Sequence, residues 1–327
     1  METIANAGRN HSRNGAITAR YGKWTAQTRR PRGRKITNGL RGSTGLLMIF
    51  STRMSVCIAD LYFDEATPPT LELEVDIIRY NQWLTPVAGA TCTPVSTIAV
   101  NLWRSTDELL SKMKDGARYK IRRAGAKDEL SYEFWNDGNS EAIMRFADHF
   151  DRCAALKHIP GASLKRLWIL ARNGALDVSF VRDKFGELLA ANSYIVTPSR
   201  VRILHTGASF RATTDQIRRA LIGRANRYLY WRDMLRFREA GVRIFDFGGY
   251  YTGSQDEEKL RVNDFKAQFA GDILHEFNCE RAVTLKGEVA IWAIKQRGAW
   301  LAQRRSRALQ SQREREERHE SSLPVSV

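Results

Sequence analysis

Absences narrow this sequence before anything present does. In 327 residues no apolar run approaches the roughly 18 that a membrane-crossing helix needs; the longest, residues 46–50, stops at Ser51. A secretory leader would place a longer apolar stretch near the N-terminus, where an Arg-rich polar segment stands instead. The expectation is a cytoplasmic protein without integral membrane contact, with peripheral association left open. Cysteine is scarce: Cys57, Cys92, Cys153 and Cys279 lie thirty or more residues apart, without a C-x-x-C pair or a histidine at ligand spacing. That spacing argues against a metal site and against disulfides. His205, His149 and His158 have no Ser or Asp at the spacing of a known nucleophile triad, and no repeat of fixed period is present.

Charge is one-sided but uneven. Lys and Arg number 52 against 36 Asp and Glu, a formal net charge of +16. Residues 1–45 carry ten of those cations and one acid, and residues 303–327 carry six and four, which leaves the middle near +5. A nucleic-acid role read from total charge is therefore a claim about the tail. At 43% hydrophobic and 27% charged, the chain as a whole is not disordered, and its length holds one large or two small domains.

The pattern divides the chain into a disordered basic tail (1–45), an N-terminal α/β part of the core (46–139), a second α/β domain (140–283) and a charged helix with its tail (284–327). Three readings of the tail stand side by side: an anion-binding arm, a cleavable organelle-targeting peptide, or sequence upstream of a true start at Met48 or Met54. Met54 to Phe63 reads as a strand before the Pro68-Pro69 break, and Thr97 to Trp103 as another. Ser105-Thr106-Asp107-Glu108 is a capping box opening a helix to Ala124, with Leu109, Met113, Ala117 and Ile121 as its apolar stripe and Lys114, Arg118 and Arg122 stacked beside it. Ser140 opens a helix to Lys157, and Ser163 to Asn173 forms a third. Leu176–Arg182, Leu188–Val196 and Arg200–Ala208 are strands with connections too short for anything but an antiparallel meander. Asp215 to Ala240 is a long helix stopped by Gly241. A strand from Val242 to Phe247, a short helix from Leu260 to Phe269 and a strand from Asp272 to Phe277 follow.

Strand-strand-strand-helix-strand, read with three short stretches, resembles the GNAT acyltransferase superfamily and, within it, the Fem-type aminoacyltransferases and related cell-envelope acetyltransferase domains. The stretches are Arg118 to Ala124, Phe245-Asp246-Phe247-Gly248-Gly249, and Asn263 to Gly271 with its Phe265-Lys266 pair. The resemblance spans about residues 95–280. It implies a GNAT-like fold, α/β with a mixed, mainly antiparallel sheet and helices on both faces. It also implies transfer of an acyl or aminoacyl group, from acyl-CoA or aminoacyl-tRNA, to an amine of a cell-envelope precursor or saccharide. Two features depart from the pattern: the pyrophosphate-loop motif is matched by Ala220 to Ala225 only in its later positions, and Phe-Gly-Gly becomes Phe269-Ala270-Gly271.

Acyl transfer needs a deprotonated amine, a donor aimed at the oxyanion and a proton for the leaving group. Asp246 shares strand parity with Val242 and Ile244, so it is expected to face a packed layer where desolvation raises its pKa toward that of a base; the alternative is that it caps the turn at Gly248 and Gly249. The resemblance implies an electrostatic role for Lys266, and Tyr250 is a candidate proton donor. Arg211, Arg218 and Arg219, near the start of the helix from Asp215, are candidates for the donor's phosphates, since helix N-termini bind anions, and the resemblance adds Asn226 and Arg227. Arg118, Arg122, Gly248, Gly249 and Phe265 are candidates for the acceptor. Other classes remain: a nucleic-acid-binding protein using the basic arm, and a GNAT-like interaction module without catalysis.

Overall fold

The structure, a computed structural model, describes residues 47–63, 74–298, 300 and 303–304. The basic tail and the far C-terminal extension lie outside these residues. The strands are β1 (Leu47–Arg53), β2 (Val56–Tyr62), β3 (Ile77–Trp83), β4 (Thr91–Asn101), β5 (Ser131–Trp135), β6 (Leu176–Arg182), β7 (Leu188–Val196), β8 (Arg200–Ala208), β9 (Ile244–Gly249) and β10 (Asp272–Ala282). They form one sheet in the order β1-β2-β3-β10-β4-β9-β8-β7-β6-β5. Only β2–β3 and β8–β9 are parallel pairs among the described strands. Both 46–139 and 140–283 contribute strands to it, with β10 lying between β3 and β4.

The helices are α1 (Thr106–Lys112), α2 (Asp115–Lys127), α3 (Ser140–Ala155), α4 (Leu164–Arg172), α5 (Gln216–Glu239) and α6 (Glu257–Ala267), with α7 over residues 285–298. The capping box opens α1 as expected, with Ser105 and Glu108 satisfying each other's amides. The single helix expected from Thr106 to Ala124 breaks at Met113, because Lys114 N donates to Gln268 O at 3.0 Å instead of continuing the ladder. The strand expected from Met54 to Phe63 is β2, and an unforeseen strand precedes it: Met54 and Ser55 take φ values of 47° and 63° and turn β1 back onto β2. The meander occupies the expected residues.

Period-two alternation sorts the sheet's side chains between two helical layers. Val178 and Phe180 pack against Phe146 and Phe150 of α3 and Leu167 and Leu170 of α4. On the other face Val201, Ile203 and Phe245 meet Leu109, Met113 and Ile121 of α1–α2 and Tyr230, Met234 and Phe237 of α5. A polar clamp pins α5 to the sheet. Asp233 accepts from Tyr132, Ser179, Asn192 and Tyr194 at 2.5–3.0 Å, and burial pushes its pKa up to about 6 against those bonds.

Near the middle of the sheet lies a buried charge network. Arg200 Nη2 is 2.6 Å from Asp246 Oδ2 and 3.0 Å from Glu276 Oε2, while its Nη1 is 2.6 Å from Glu276 Oε1. Gln82 donates to both carboxylates at 2.9 and 2.8 Å, Thr97 donates to Asp246, and the Phe63 ring lies 4.5 Å from the Arg200 guanidinium. Three strands thus supply charges and two more supply neutral donors. Gln82 holds φ 58°, a left-handed geometry that costs a non-glycine residue about 1 kcal/mol or more.

Cys92 and Cys279 face each other across β4 and β10 and form a disulfide, which corrects the expectation of four free thiols. Sequence spacing of 187 residues hides a pair that only strand register brings together. Such a bond persists in oxidising surroundings and is reduced in a glutathione-buffered cytosol, so its state also reports on the compartment.

Two outcomes follow. Protein denatured without reductant should titrate two thiols with a thiol reagent, those of Cys57 and Cys153; four would disprove the bridge. Arg200→Met should lower stability in urea unfolding by about 3–5 kcal/mol, because it strands two buried carboxylates; a loss below about 1 kcal/mol would show that the network is not structural.

Candidate active site

The parallel strands β8 and β9 pair only over Arg200–Ile244, Val201–Phe245 and Arg202–Asp246. Past that register β8 runs on to Ala208 and β9 to Gly249 without pairing to each other, so the strands part at their carboxyl ends. On its other side β9 slips against β4, where Thr97 faces Gly249 and Ala99 faces Asp246. The extra residue is accommodated at Gly248, whose φ of 73° suits glycine. An opening beyond the carboxyl ends of parallel strands is a favoured place for a ligand in α/β sheets.

Lys266 closes one side of the opening. Its ammonium donates to Gly248 O at 3.1 Å and Gly249 O at 2.5 Å. Burial, helped by Arg202 and opposed by Asp246, lowers its pKa to about 8. Arg202 faces Gly248: a Cβ placed on that glycine would lie 3.9 Å from Arg202 Nε. That Nε is buried without a hydrogen-bond partner, and burial lowers the guanidinium's pKa although Asp246 counters it. Two cations therefore converge on one opening. Sequence reasoning missed Arg202; the signal available was the alternation Arg200-Val201-Arg202-Ile203, two charges on one side of a strand whose other side there carries Val201 and Ile203.

Asp246 is fully engaged, which corrects its expected role as a base. Burial works to raise its pKa, but Arg200 and Arg202, with the hydrogen bonds from Thr97 and Arg200, outweigh burial and hold the carboxyl below its ordinary value. Asp246 Oδ1 also accepts from Gly248 N at 2.7 Å, so the turn-capping alternative is the one the geometry supports. Tyr250 is half-buried against the aromatic cluster that contains Phe247 and Phe269, at the end of β9. Phe265 is packing rather than lining: it touches Tyr230 and Phe269 and lies under the Arg227 guanidinium at 4.9 Å.

The residues assigned to donor phosphates are mostly committed elsewhere. Asp215 caps α5 with its own carboxylate, accepting from Ile217 N and Arg218 N at 3.0 and 3.3 Å, where a phosphate would bind. Arg211 pairs with Glu258 at 2.5 Å, and Arg218 with Asp183 and Glu187 at 2.6 and 2.5 Å. Arg219 stacks 4.3 Å from Phe210. Arg227 donates to Gln268 and to Gly223 O, and Asn226 Oδ1 is buried without a partner. The start of α5 does not fit a pyrophosphate. On α2, Arg118 folds back onto Asp115 and Ser111 O, whereas Arg122 is exposed. Lys120 lies against α5, and its pKa is lowered first by Arg227, then by burial and Arg224.

Among the described residues no group of three or more metal-ligating side chains occurs, and no helix is long and apolar enough to cross a membrane. No protein-family profile matches the sequence, and no curated protein matches it. Solved structures do resemble it. FemX superposes with a TM-score of 0.53 at 12% identity, covering 71% of this chain and 83% of that one. The C-terminal domain of a putative lysylphosphatidylglycerol synthetase from Agrobacterium fabrum gives 0.46 at 15% identity over 76% and 84%, and L-PGS from Bacillus licheniformis gives 0.46 at 10% over 77% and 85%. The likeness to FemX concerns the fold, and it bears out the fold implied by the sequence resemblance: this chain shares with FemX a mixed α/β architecture built on one large sheet.

Proposed function

We propose that the protein is an N-acyltransferase that moves an acyl or aminoacyl group onto an amine of a cell-envelope precursor or saccharide. The observation that carries this reading is the ammonium of Lys266, held on the carbonyls of Gly248 and Gly249 at the mouth of the β8–β9 opening beside Arg202. The amine attacks the donor carbonyl, a C–N bond forms, and the oxygen gains negative charge that preorganised cations stabilise. The bond to the leaving group then breaks, Lys266 passes a proton to it, and the proton shed by the attacking nitrogen returns to Lys266. A lysine with a pKa near 8 suits that transfer at neutral pH, with Tyr250 as the alternative donor. Asp246 acts by position, fixing Gly248 and hence the carbonyls that aim Lys266.

Of the two donors, the geometry favours an aminoacyl ester over a CoA thioester. Asp215 places negative charge where a pyrophosphate would sit, and two of the three nearby arginines are neutralised. Cations crowd instead where α2 meets α5, as the lowered pKa of Lys120 records. A polyanionic donor such as aminoacyl-tRNA would relieve that repulsion.

Lys266→Ala should reduce kcat by about 10²–10³-fold, and Lys266→Arg should restore part of it. Because the protonated form does the work, kcat/KM should fall as pH rises through about 8; a profile flat to pH 9.5 would remove Lys266 from the chemistry. In thermal unfolding, millimolar CoA or acetyl-CoA should leave Tm unchanged, since only a ligand of the native state raises it. A clear upward shift would reinstate a CoA donor.

A further inference from the structure

Helix α7 follows β10 and is locked at its first turn. Thr284 Oγ1 donates to Asp76 Oδ1 at 2.7 Å and accepts from Gly287 N at 3.1 Å. Lys286 Nζ lies 2.9 Å from Asp76 Oδ2, and Val283 N donates to Asp76 O at 2.8 Å. Gly287 sits so close to that carbonyl that a Cβ on it would lie 2.0 Å away. These contacts fix the helix's rotation about its axis, with Gly287 inward.

That rotation turns the wrong side out for a helix of a solvated protein, which normally buries its apolar stripe. Ala290 and Ile291 face the body and are half-buried. Leu285, Val289 and Trp292, spaced i, i+4 and i+7, form a row on the opposite side and are 79%, 65% and 63% exposed. Trp300, 53% exposed, prolongs the row, with Arg304 stacked 4.7 Å from its ring. At 100° per residue Lys295 falls on one flank of the row and Arg297 on the other, and both are exposed. Glu288 is the only acid within 285–298.

An outward row of Leu, Val and Trp edged by Lys and Arg is the composition of a helix that lies in a lipid–water interface, indole rings at head-group depth and cations meeting anionic head groups. We propose that α7 docks the protein on an anionic phospholipid bilayer by seating Leu285, Val289 and Trp292 in its interface. Charge selects this occupant: a second copy apposed through the same row would bring like charges together, whereas anionic lipid neutralises them. The inference stands apart from the acyltransferase reading, because it uses no residue of the β8–β9 opening.

The test is flotation of the full chain with vesicles of phosphatidylglycerol and phosphatidylcholine, and with phosphatidylcholine alone. Wild-type protein should partition onto the anionic vesicles, less at high salt and less onto the neutral ones. The double variant Val289→Glu with Trp292→Glu should partition at least about tenfold less, with Tm unchanged because both side chains are exposed. The ten cations of residues 1–45 are the same in both proteins, so the difference isolates α7. Equal flotation of variant and wild type would overturn the proposal, as would failure of the wild type to float. A wild-type dimer in sedimentation that the variant dissolves, without vesicle binding, would assign the row to self-association instead.

Discussion

Arg200 is the side chain on which the rest of the architecture depends. It is buried between Asp246 and Glu276, carboxylates from different strands, and each charge is tolerable only because the others are in place. Satisfying it requires β8, β9 and β10 to be in one register and draws Gln82 of β3 and Thr97 of β4 into the same cluster. Satisfying Asp246 in turn fixes the amide of Gly248. The carbonyls that hold Lys266 are therefore set by a chain of polar contacts that begins at a buried guanidinium.

A second division runs through the cations. Arg211, Arg218 and Arg224 are neutralised by acids within the fold, and others lie over aromatic rings. Lys266 and Arg202 have no such acid bonded to them, and their lowered pKa values record the strain of holding charge there. Charge held in a buried place is costly, and on the acyltransferase reading a site that must meet developing negative charge is where such a cost has a use.

What could be read from the sequence was local. The capping box at Ser105, the three meander strands and the span of α5 depend on neighbours a few residues apart, and each appears within a residue or two of its expected place. Contacts that depend on distant partners could not be read. Cys92 meets Cys279, and Gln82 meets Glu276, only after β10 enters between β3 and β4. Asp246 shows the same limit within one residue: strand parity placed it correctly in the interior, but the sign of its pKa shift depended on arginines of another strand. Asp215 was visible as the start of α5, yet whether those amides hold a phosphate or the chain's own carboxylate is a matter of side-chain conformation, not spacing.

Hydrogen bonding is continuous from β1 to β5, across strands drawn from both ends of the chain. A two-lobed enzyme can shut on its substrate by swinging one lobe about a hinge; here the thinnest junction among the described strands is β8–β9 itself, paired at three positions. The wedge between β8 and β9 is therefore an aperture within one sheet and not a cleft between lobes. On the acyltransferase reading, selectivity there falls to the shape and charge that Gly248, Arg202 and Lys266 present at the parting of two strands, and not to the swing of one lobe against another.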